Sequence, residues 1–515
     1  MIAKVGDAFI EYDFIVIGGG ATGIGVALEA SARGYSVVLL EKSDFGKSTS
    51  SKSTKLVHGG VRYLAQGDIG LVREAVVERG LLVKNAPHLV KDQSFIIPTY
   101  GIIDEIQYTI GLIFYDLLAG KLSLGRSKRI SKSKTLSRIP TIKADKISAG
   151  VEYHDGQFDD TRLVINTLQS SVEMGALVLN YCNVTSLVKD EAGKLSGVKF
   201  LDKESGIEHE IKGKQIVNAT GVFADDVLRM DSPGSRKTIV PSQGVHLILD
   251  KSFLSGTHAI MIPKTDDGRV LFLVPWYNKV VVGTTDTPIE KQSLEPVALE
   301  EEIKFILATA SRYLTKAPKR SDVLSVFAGL RPLAAPSGEG KKTNEISRSH
   351  KIVVSDSGLL TMVGGKWTTY RKMGEDLVNK AEKLHNWAHV STQTKHLKIH
   401  GFKENVDHQN PLYFYGSDEE KILKLASQHK LDKPLSLSLN VIESQVVWAV
   451  KNEMARTVED FLARRTRCQL LDAKESVKMA PRVAEIMAKG LGKDKIWQKK
   501  QVKDYANVTM NYILN

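Results

Sequence analysis

Asp13-Phe14-Ile15-Val16-Ile17-Gly18-Gly19-Gly20-Ala21-Thr22-Gly23 is the stretch whose reading decides the fold. Its apolar, β-branched start reads as a buried strand that ends on glycine. Ala21 to Arg33 is small and helix-compatible, with Gly34 as the capping residue. Ser36 to Leu40 reads as a second buried strand and leads to Glu41. The unit is βαβ with G-x-G-x-x-G at the first turn. Gly18 makes the tight turn, Gly20 lets a pyrophosphate approach the backbone, and Gly23 lets helix and strand pack closely. The helix N-terminus then faces the phosphates with its partial positive charge. Glu41, 18 residues after Gly23, is placed to accept hydrogen bonds from ribose hydroxyls. This unit predicts a dinucleotide site and leaves NAD and FAD both open.

Two later stretches favour FAD. Val217-Asn218-Ala219-Thr220-Gly221 ends a strand with a turn of small residues, as where a flavoprotein sheet passes FAD a second time. Gly364-Gly365-Lys366-Trp367-Thr368-Thr369 starts a helix after another buried strand. A helix N-terminus aimed at the flavin pyrimidine would stabilise the negative charge of the reduced ring. Between Ser43 and Thr54, seven of twelve residues are Ser or Thr. Flanked by the nucleotide unit and a His-Gly-Gly turn, they read as an ordered, ligand-contacting loop rather than a linker.

Around these motifs, 515 residues suffice for two or three domains, and 42% hydrophobic with 25% charged residues is ordinary globular composition. Only Cys182 and Cys468 are cysteines, which excludes a disulfide framework and four-cysteine metal sites, and points to a reducing compartment. No metal site is expected. No apolar run approaches the ~18 residues of a membrane span, and the N-terminus is unlike a signal peptide. The expected location is therefore the cytoplasm.

The net charge of +12 is concentrated. Lys121 to Lys146 carries nine basic residues against Asp145 alone, directly after the apolar run Ile110 to Leu118. Charge beside apolar side chains suggests peripheral contact with anionic lipid, whereas the bland reading is a solvated loop after a core helix. Strand patterns recur near Leu177, Val198, Ile216, Leu247, Leu271, Val281, Leu324 and Leu359, with a helix around Ile303 to Tyr313. After about His396 amphipathic helical patterns dominate: Glu419 to Ser427, Ile442 to Asn452, Thr457 to Arg465 and Ser476 to Lys489.

Ser50-Ser51-Lys52-Ser53-Thr54-Lys55-Leu56-Val57-His58-Gly59-Gly60-Val61-Arg62-Tyr63-Leu64 resembles the signature of FAD-dependent glycerol-3-phosphate dehydrogenases. Gly283 to Thr287, Gly329-Leu330-Arg331-Pro332-Leu333, Gly364 to Arg371 and the tail residues Glu453 to Arg456 and Arg464-Arg465-Thr466 are similar to the same family. The resemblance covers nearly the whole chain. It implies an α/β fold: an FAD-binding Rossmann-like domain interleaved with a mixed β-sheet substrate domain, plus a C-terminal α-helical domain. The expected FAD-binding parts are about 1–95, 150–235 and 325–395, the substrate parts about 96–149 and 236–324, and the helical domain 396–515.

The implied reaction is oxidation of glycerol 3-phosphate to dihydroxyacetone phosphate, with FAD as cofactor and a membrane quinone as onward acceptor. The expected cofactor ligands are Gly18, Gly20, Gly23, Glu41, Lys42, Thr49, Ser50, Ser51, Thr220, Gly221, Gly364, Gly365, Lys366, Trp367 and Thr368. Arg62, Tyr63, Arg331 and Arg348 are expected on the substrate, because a phosphate dianion calls for guanidinium forks. His246 is the expected base, His58 lies near the flavin, and Lys366 polarises the developing alkoxide. The expected placement is peripheral, on the inner face of the cell membrane, and a homodimer is compatible with it. A glycerol-phosphate oxidase, reducing dioxygen, would share these motifs, although its relatives tend to carry an inserted segment absent here. A flavin-dependent RNA-modifying or RNA-binding protein is the reading from another class. Against it, the 121–146 segment has no aromatic residues for base stacking, so no nucleic acid is expected.

Overall fold

In the computed structural model, residues 10–65, 67–265, 268–335 and 349–514 are described. Phe14, Ile15 and Val16 are fully buried, which an apolar run achieves only in the middle of a sheet covered on both faces. The strand Glu11–Ile17 lies parallel between Val37–Leu40 and Glu208–Asn218. Leu177–Leu179 extends one side in parallel, and Leu360–Val363 the other. Ile17 is in register with both Leu40 and Asn218, so the carboxyl ends of the three strands form one rim. In open parallel sheets that rim is where ligands bind.

The helix Ala21–Ala32 leaves this rim and packs against Tyr370–His385 and Asp160–Glu173. Small residues make that approach possible. A Cβ on Gly374 would sit 2.3 Å from the Gly25 carbonyl oxygen, and one on Gly25 would sit 2.5 Å from that of Tyr370. Gly34 has the positive φ expected of its capping role, at +88°.

The second sheet has ten strands. Its centre is Ile239–Asp250, paired antiparallel with Lys279–Gly283 on one side and with the long strand Val323–Ala334 on the other. Val90–Thr99 and Ala149–Phe158 pair along their whole length. Ala259–Ile262 joins Val90–Thr99 in parallel, which makes the sheet mixed. Sheet membership cuts across the expected parts: residues 150–158 and 325–334, with Leu56–Val57 and the first half of Val90–Thr99, fall in the FAD-binding parts expected above, yet their backbones pair in the second sheet.

The C-terminal part is helical: Glu443–Asn452, Ala473–Leu491 and Lys495–Thr509 enclose Val446, Phe461, Leu462, Met479 and Val483, while Glu419–His429 turns Ile422 into the core around the parallel sheet. The expected helix Thr457 to Arg465 instead ends in a π-helical turn, Asp460–Arg465. The wider turn lets consecutive residues Arg464 and Arg465 both reach Asp44, in the loop after the second strand of the βαβ unit. Arg465 donates to the Asp44 carboxylate at 2.8 and 2.9 Å, and Arg464 Nε donates to the same group. Asp44 is fully buried, and the two guanidiniums hold its pKa well below the usual carboxylate range against the opposing effect of burial. Lys47, in the same loop, pairs with Glu459 at 2.8 Å. Among the described residues, no helix is long and apolar enough to cross a membrane.

Candidate active site

A cleft of about 1310 Å³, open at its mouth, runs over the rim of the parallel sheet. Gly18, Gly20, Glu41, Lys42, Thr49, Ser50, Thr220, Gly221, Gly364, Gly365, Lys366 and Trp367 all line it. The glycines shape it. Gly18 has φ +109°, where a side chain would be strained, and its Cβ would meet the Ala219 carbonyl oxygen at 2.7 Å. A Cβ on Gly23 would lie 1.8 Å from the Gly18 carbonyl oxygen, so Gly23 serves packing behind the cleft. The helix Ala21–Ala32 has no acid in its first turn, and its N-terminal dipole points at the cleft. This glycine cradle at a helix N-terminus fits the pyrophosphate of a dinucleotide.

Glu41 also shapes the turn. Its carboxylate accepts from the Gly19 N–H at 2.7 Å and the Ser43 N–H at 2.8 Å. Burial pushes its pKa up, while those two N–H groups pull the other way. Ser50 Oγ accepts from the Ala21 N–H at 2.9 Å, and Trp367 Nε1 donates to the Ser50 carbonyl at 2.9 Å. Thr49 Oγ1 donates to the Leu330 carbonyl at 2.6 Å, tying the Ser/Thr-rich loop to the second sheet. Ser51 and Thr368 do not line the cleft. Ser51 Oγ bonds back to the Ser48 carbonyl, and Thr368 Oγ1 accepts from the His58 N–H at 3.2 Å.

A second pocket adjoins the first across the segment 54–63. Thr54, His58, Gly60, Tyr63, Arg269 and Arg331 line it, with Thr284 to Asp286 and the aromatic rings of Phe95, Tyr153 and Phe272. Lys366 Nζ, from the cofactor cleft, lies 4.1 Å from the Tyr63 ring centroid, so this contact forms the wall between the two spaces. Behind Gly59, Tyr115 Oη accepts from the backbone N–H at 2.7 Å and donates to Asp155, whose other partner is Arg79. The His-Gly-Gly turn is thus held from below by a buried network.

Arg331 projects from Val323–Ala334 into this pocket. Its Nη2 donates to Thr284 Oγ1 at 3.1 Å and the Thr285 carbonyl at 3.0 Å, and Nη1 lies 3.4 Å from Asp286. The fork is therefore pre-oriented. Arg269 is a second pocket arginine that sequence reasoning missed; it follows a turn and belongs to no recognisable motif. Asp286 lies in the quoted Gly-Thr-Thr-Asp-Thr stretch, but its link to Arg331 had no sequence signal. Arg62 lies on the short helix Val61–Ala65, with its side chain outside the described residues, and Arg348 falls wholly outside them.

His246 does not line the pocket. It sits one layer behind, fully enclosed, stacked on Phe327 with ring centroids 4.9 Å apart. Its Nε2 is 2.9 Å from Thr54 Oγ1, and Thr54 does line the pocket. Burial, then the charges of Arg331 and Lys55, hold its pKa well below 6.5, so the imidazole is neutral at pH 7. His58 lines the pocket directly, its ring 6.4 Å from that of Phe272.

Residues 13–371 match the family model described as FAD dependent oxidoreductase, and residues 360–500 match the C-terminal domain of alpha-glycerophosphate oxidase. The mitochondrial glycerol-3-phosphate dehydrogenase of Schizosaccharomyces pombe is 37% identical, over 94% of this chain and 85% of its own. The chain belongs to the FAD-dependent glycerol-3-phosphate dehydrogenase family. The human member, also named mitochondrial, is 36% identical over 96% of this chain and 72% of its own. The crystal structure of glycerol-3-phosphate dehydrogenase from Bacillus halodurans, complexed with FAD, superposes with a TM-score of 0.81. It is 27% identical and covers 99% of this chain and 97% of its own. An L-alpha-glycerophosphate oxidase from Mycoplasma pneumoniae, 18% identical with a TM-score of 0.57, shares the fold over 75% of this chain. As a member of this flavoenzyme family the chain takes FAD, and the glycine-lined cleft is the place that fits it.

Proposed function

We propose that this protein oxidises glycerol 3-phosphate to dihydroxyacetone phosphate and passes the electrons to a membrane quinone. The observation that carries the reading is a pocket holding Arg331 and Arg269, with Tyr63 of its lining in contact with Lys366 of the cofactor cleft. When bound, FAD supplies the two-electron acceptor for the hydride that leaves C2.

The chain's own groups do the rest. Arg331, fixed by Asp286 and two carbonyls, holds the phosphate, with Arg269 beside it. Arg62 and Arg348 remain proposed ligands on the strength of the family motifs. Tyr63 packs along the glycerol end, and His58 lines the reacting end. His246 remains the proposed acceptor of the 2-hydroxyl proton, by way of Thr54 Oγ1 between it and the pocket; its burial and the charges of Arg331 and Lys55 oppose the imidazolium this would form. Lys366 stands at the wall where the alkoxide would develop. Two carbonyls and a carboxylate hold the guanidinium before substrate arrives, which lowers the ordering cost of binding.

The quinone and lipid parts rest on the helix Ile102–Ala119. Leu112, Tyr115 and Ala119 face inward, while Ile102, Ile103, Ile106, Ile110, Ile113, Phe114 and Leu117 are 40–77% exposed. A contiguous apolar helix face of this kind suits burial in the head-group region of a bilayer. The neighbouring basic run is less positive than its count suggests. Arg129 pairs with Glu105 at 2.6 Å, Lys128 with Glu152 at 3.1 Å, and Arg138 also with Glu152. Exposed Lys121, Lys132 and Lys134 stay available to anionic lipid on the inner face of the cell membrane. Tyr115, on the opposite face of this helix, touches the His-Gly-Gly turn, so the reacting centre lies about one helix diameter, ~10 Å, from that surface.

The test is anaerobic mixing of the FAD-loaded protein with glycerol 3-phosphate, followed by quinone or air. Flavin bleaching by glycerol 3-phosphate, but not glycerol, with fast reoxidation by quinone is expected. No bleaching would remove the substrate assignment. Bleaching followed by fast reoxidation in air and peroxide release would favour the oxidase, the reading that the C-terminal domain match keeps in view.

A further inference from the structure

A third cleft, distinct from the cofactor cleft and the substrate pocket, opens where the second sheet meets the C-terminal helices. Its floor is the tight hairpin between Leu271–Trp276 and Lys279–Gly283, turned by Tyr277 and Asn278 at positive φ. Lys91, Lys251, Lys279, His408 and Arg467 line it, and among the described residues no carboxylate does. Arg467 is answered by buried Asp159 at 2.9 Å, and Lys279 stands 3.8 Å from Asp250, a largely exposed carboxylate. Among the described residues, Lys91 has no such partner. Burial alone lowers its pKa, with no neighbouring acid acting in the other direction.

His408 adds a second unmet demand. Its Nδ1 is buried without a hydrogen-bond partner among the described residues. Burial first, and the Lys91 charge second, bring its pKa to about 4, so it is neutral at pH 7 and adds no positive charge. Its ring packs edge-on against Tyr413 at 4.9 Å, and Tyr413 stacks on Tyr277 at 5.8 Å.

A partly desolvated ammonium without a counter-ion is costly, and a concave patch of one sign concentrates ions of the other. Three lysines suit a dianion better than a single carboxylate, because lysine binds phosphate as a point charge. With about 220 Å³ of water-accessible space, the cleft can take a small anion or a compact metabolite but not a polynucleotide strand. We propose that this cleft binds a small phosphorylated metabolite, its phosphate held by Lys91, Lys251 and Lys279 and its organic part laid against Tyr413. The site lies apart from the substrate pocket and does not depend on the reaction proposed above.

The test uses the FAD-loaded protein, so that a nucleotide cannot enter the cofactor cleft, with inorganic phosphate and AMP as probes and adenosine as control. Calorimetry and the ligand-induced rise in melting temperature are the readouts. Saturable binding of phosphate or AMP with a Kd of about 1 mM or tighter is expected, with none for adenosine. Lys91→Gln should weaken it about tenfold or more, the usual effect of losing a charge-assisted contact. Lys251→Gln, at the exposed rim, does the same without touching the interior, should the first variant fold poorly. Arg331→Ala, in the substrate pocket, should leave the lysine-dependent binding of AMP unchanged. Binding that Arg331→Ala abolishes and the lysine variants spare would overturn the proposal, as would no saturation by either probe up to about 10 mM.

Discussion

Arg331→Ala tests the substrate reading most directly. The guanidinium is about one-fifth exposed, and Gln243, Thr284, Thr285 and Asp286 hold it on both Nη atoms. None of those groups can replace its charge toward a phosphate, and Asp286 would then face the phosphate as a like charge. Truncating one side of a buried charge pair costs about 2–5 kcal/mol, so kcat/KM for glycerol 3-phosphate should fall by about thirtyfold to several thousandfold. Arg331→Lys keeps the charge but not the fork and should recover part of the loss. Steady-state rates with a soluble dye acceptor, at matched flavin content, give the ratio. The same variant should change the far slower turnover of glycerol only slightly. Equal losses for the two substrates, or a parallel fall in flavin content, would falsify the phosphate role and make Arg331 a strut between the Thr284–Asp286 turn and its own strand.

Asp44→Asn leaves Arg464 and Arg465 buried without their shared carboxylate, a loss of about 3–5 kcal/mol. It should speed FAD release and lower the melting temperature together; unchanged flavin retention would mean the loop is held by other contacts. Lys132→Glu with Lys134→Glu should weaken binding to anionic vesicles about thirtyfold, at ~1 kcal/mol for each lysine lost, while dye-linked activity persists. Equal sedimentation of variant and wild type would dismiss this face as the docking surface. His88 is fully buried, and burial, then the Arg162 charge, bring its pKa to about 3. The folded state resists its protonation while the unfolded chain takes a proton near pH 6.5. Stability should therefore decline as pH falls from 6.5 toward 3, by up to about 1.4 kcal/mol per unit, and stay flat above. His88→Gln should show a shallower decline in urea titrations across that range, and identical slopes would count against the assignment.

What could be read from sequence was local. The Gly18–Gly23 turn and Gly34 carry their own conformational demands, and all sit where those demands place them. The pairing of Val90–Thr99 with Ala149–Phe158 leaves no such mark, because a strand's partner is chosen across a long intervening segment. The basic run was overcounted for the same reason: Glu105 and Glu152, which neutralise part of it, lie outside the window in which charge was summed. In the run Ile110 to Leu118, Leu112 and Tyr115 point inward and Ile110 and Leu117 outward, so each of the two sequence readings captured one face. His246 was recognised by type and motif, yet its depth behind Thr54 follows from the packing of two antiparallel neighbours.

The contact of Asp44 with Arg464 and Arg465 also sets a clock. Its two sides are separated by 420 and 421 positions in the chain. At ribosomal rates of about 5–20 residues per second, they emerge roughly 20–80 seconds apart. Until the second side emerges, the loop beside the nucleotide-binding turn carries a lone carboxylate in place of a completed latch. Stable flavin uptake is thereby deferred until Arg464 and Arg465 have emerged, and a nascent chain stalled before them would hold the cofactor only loosely.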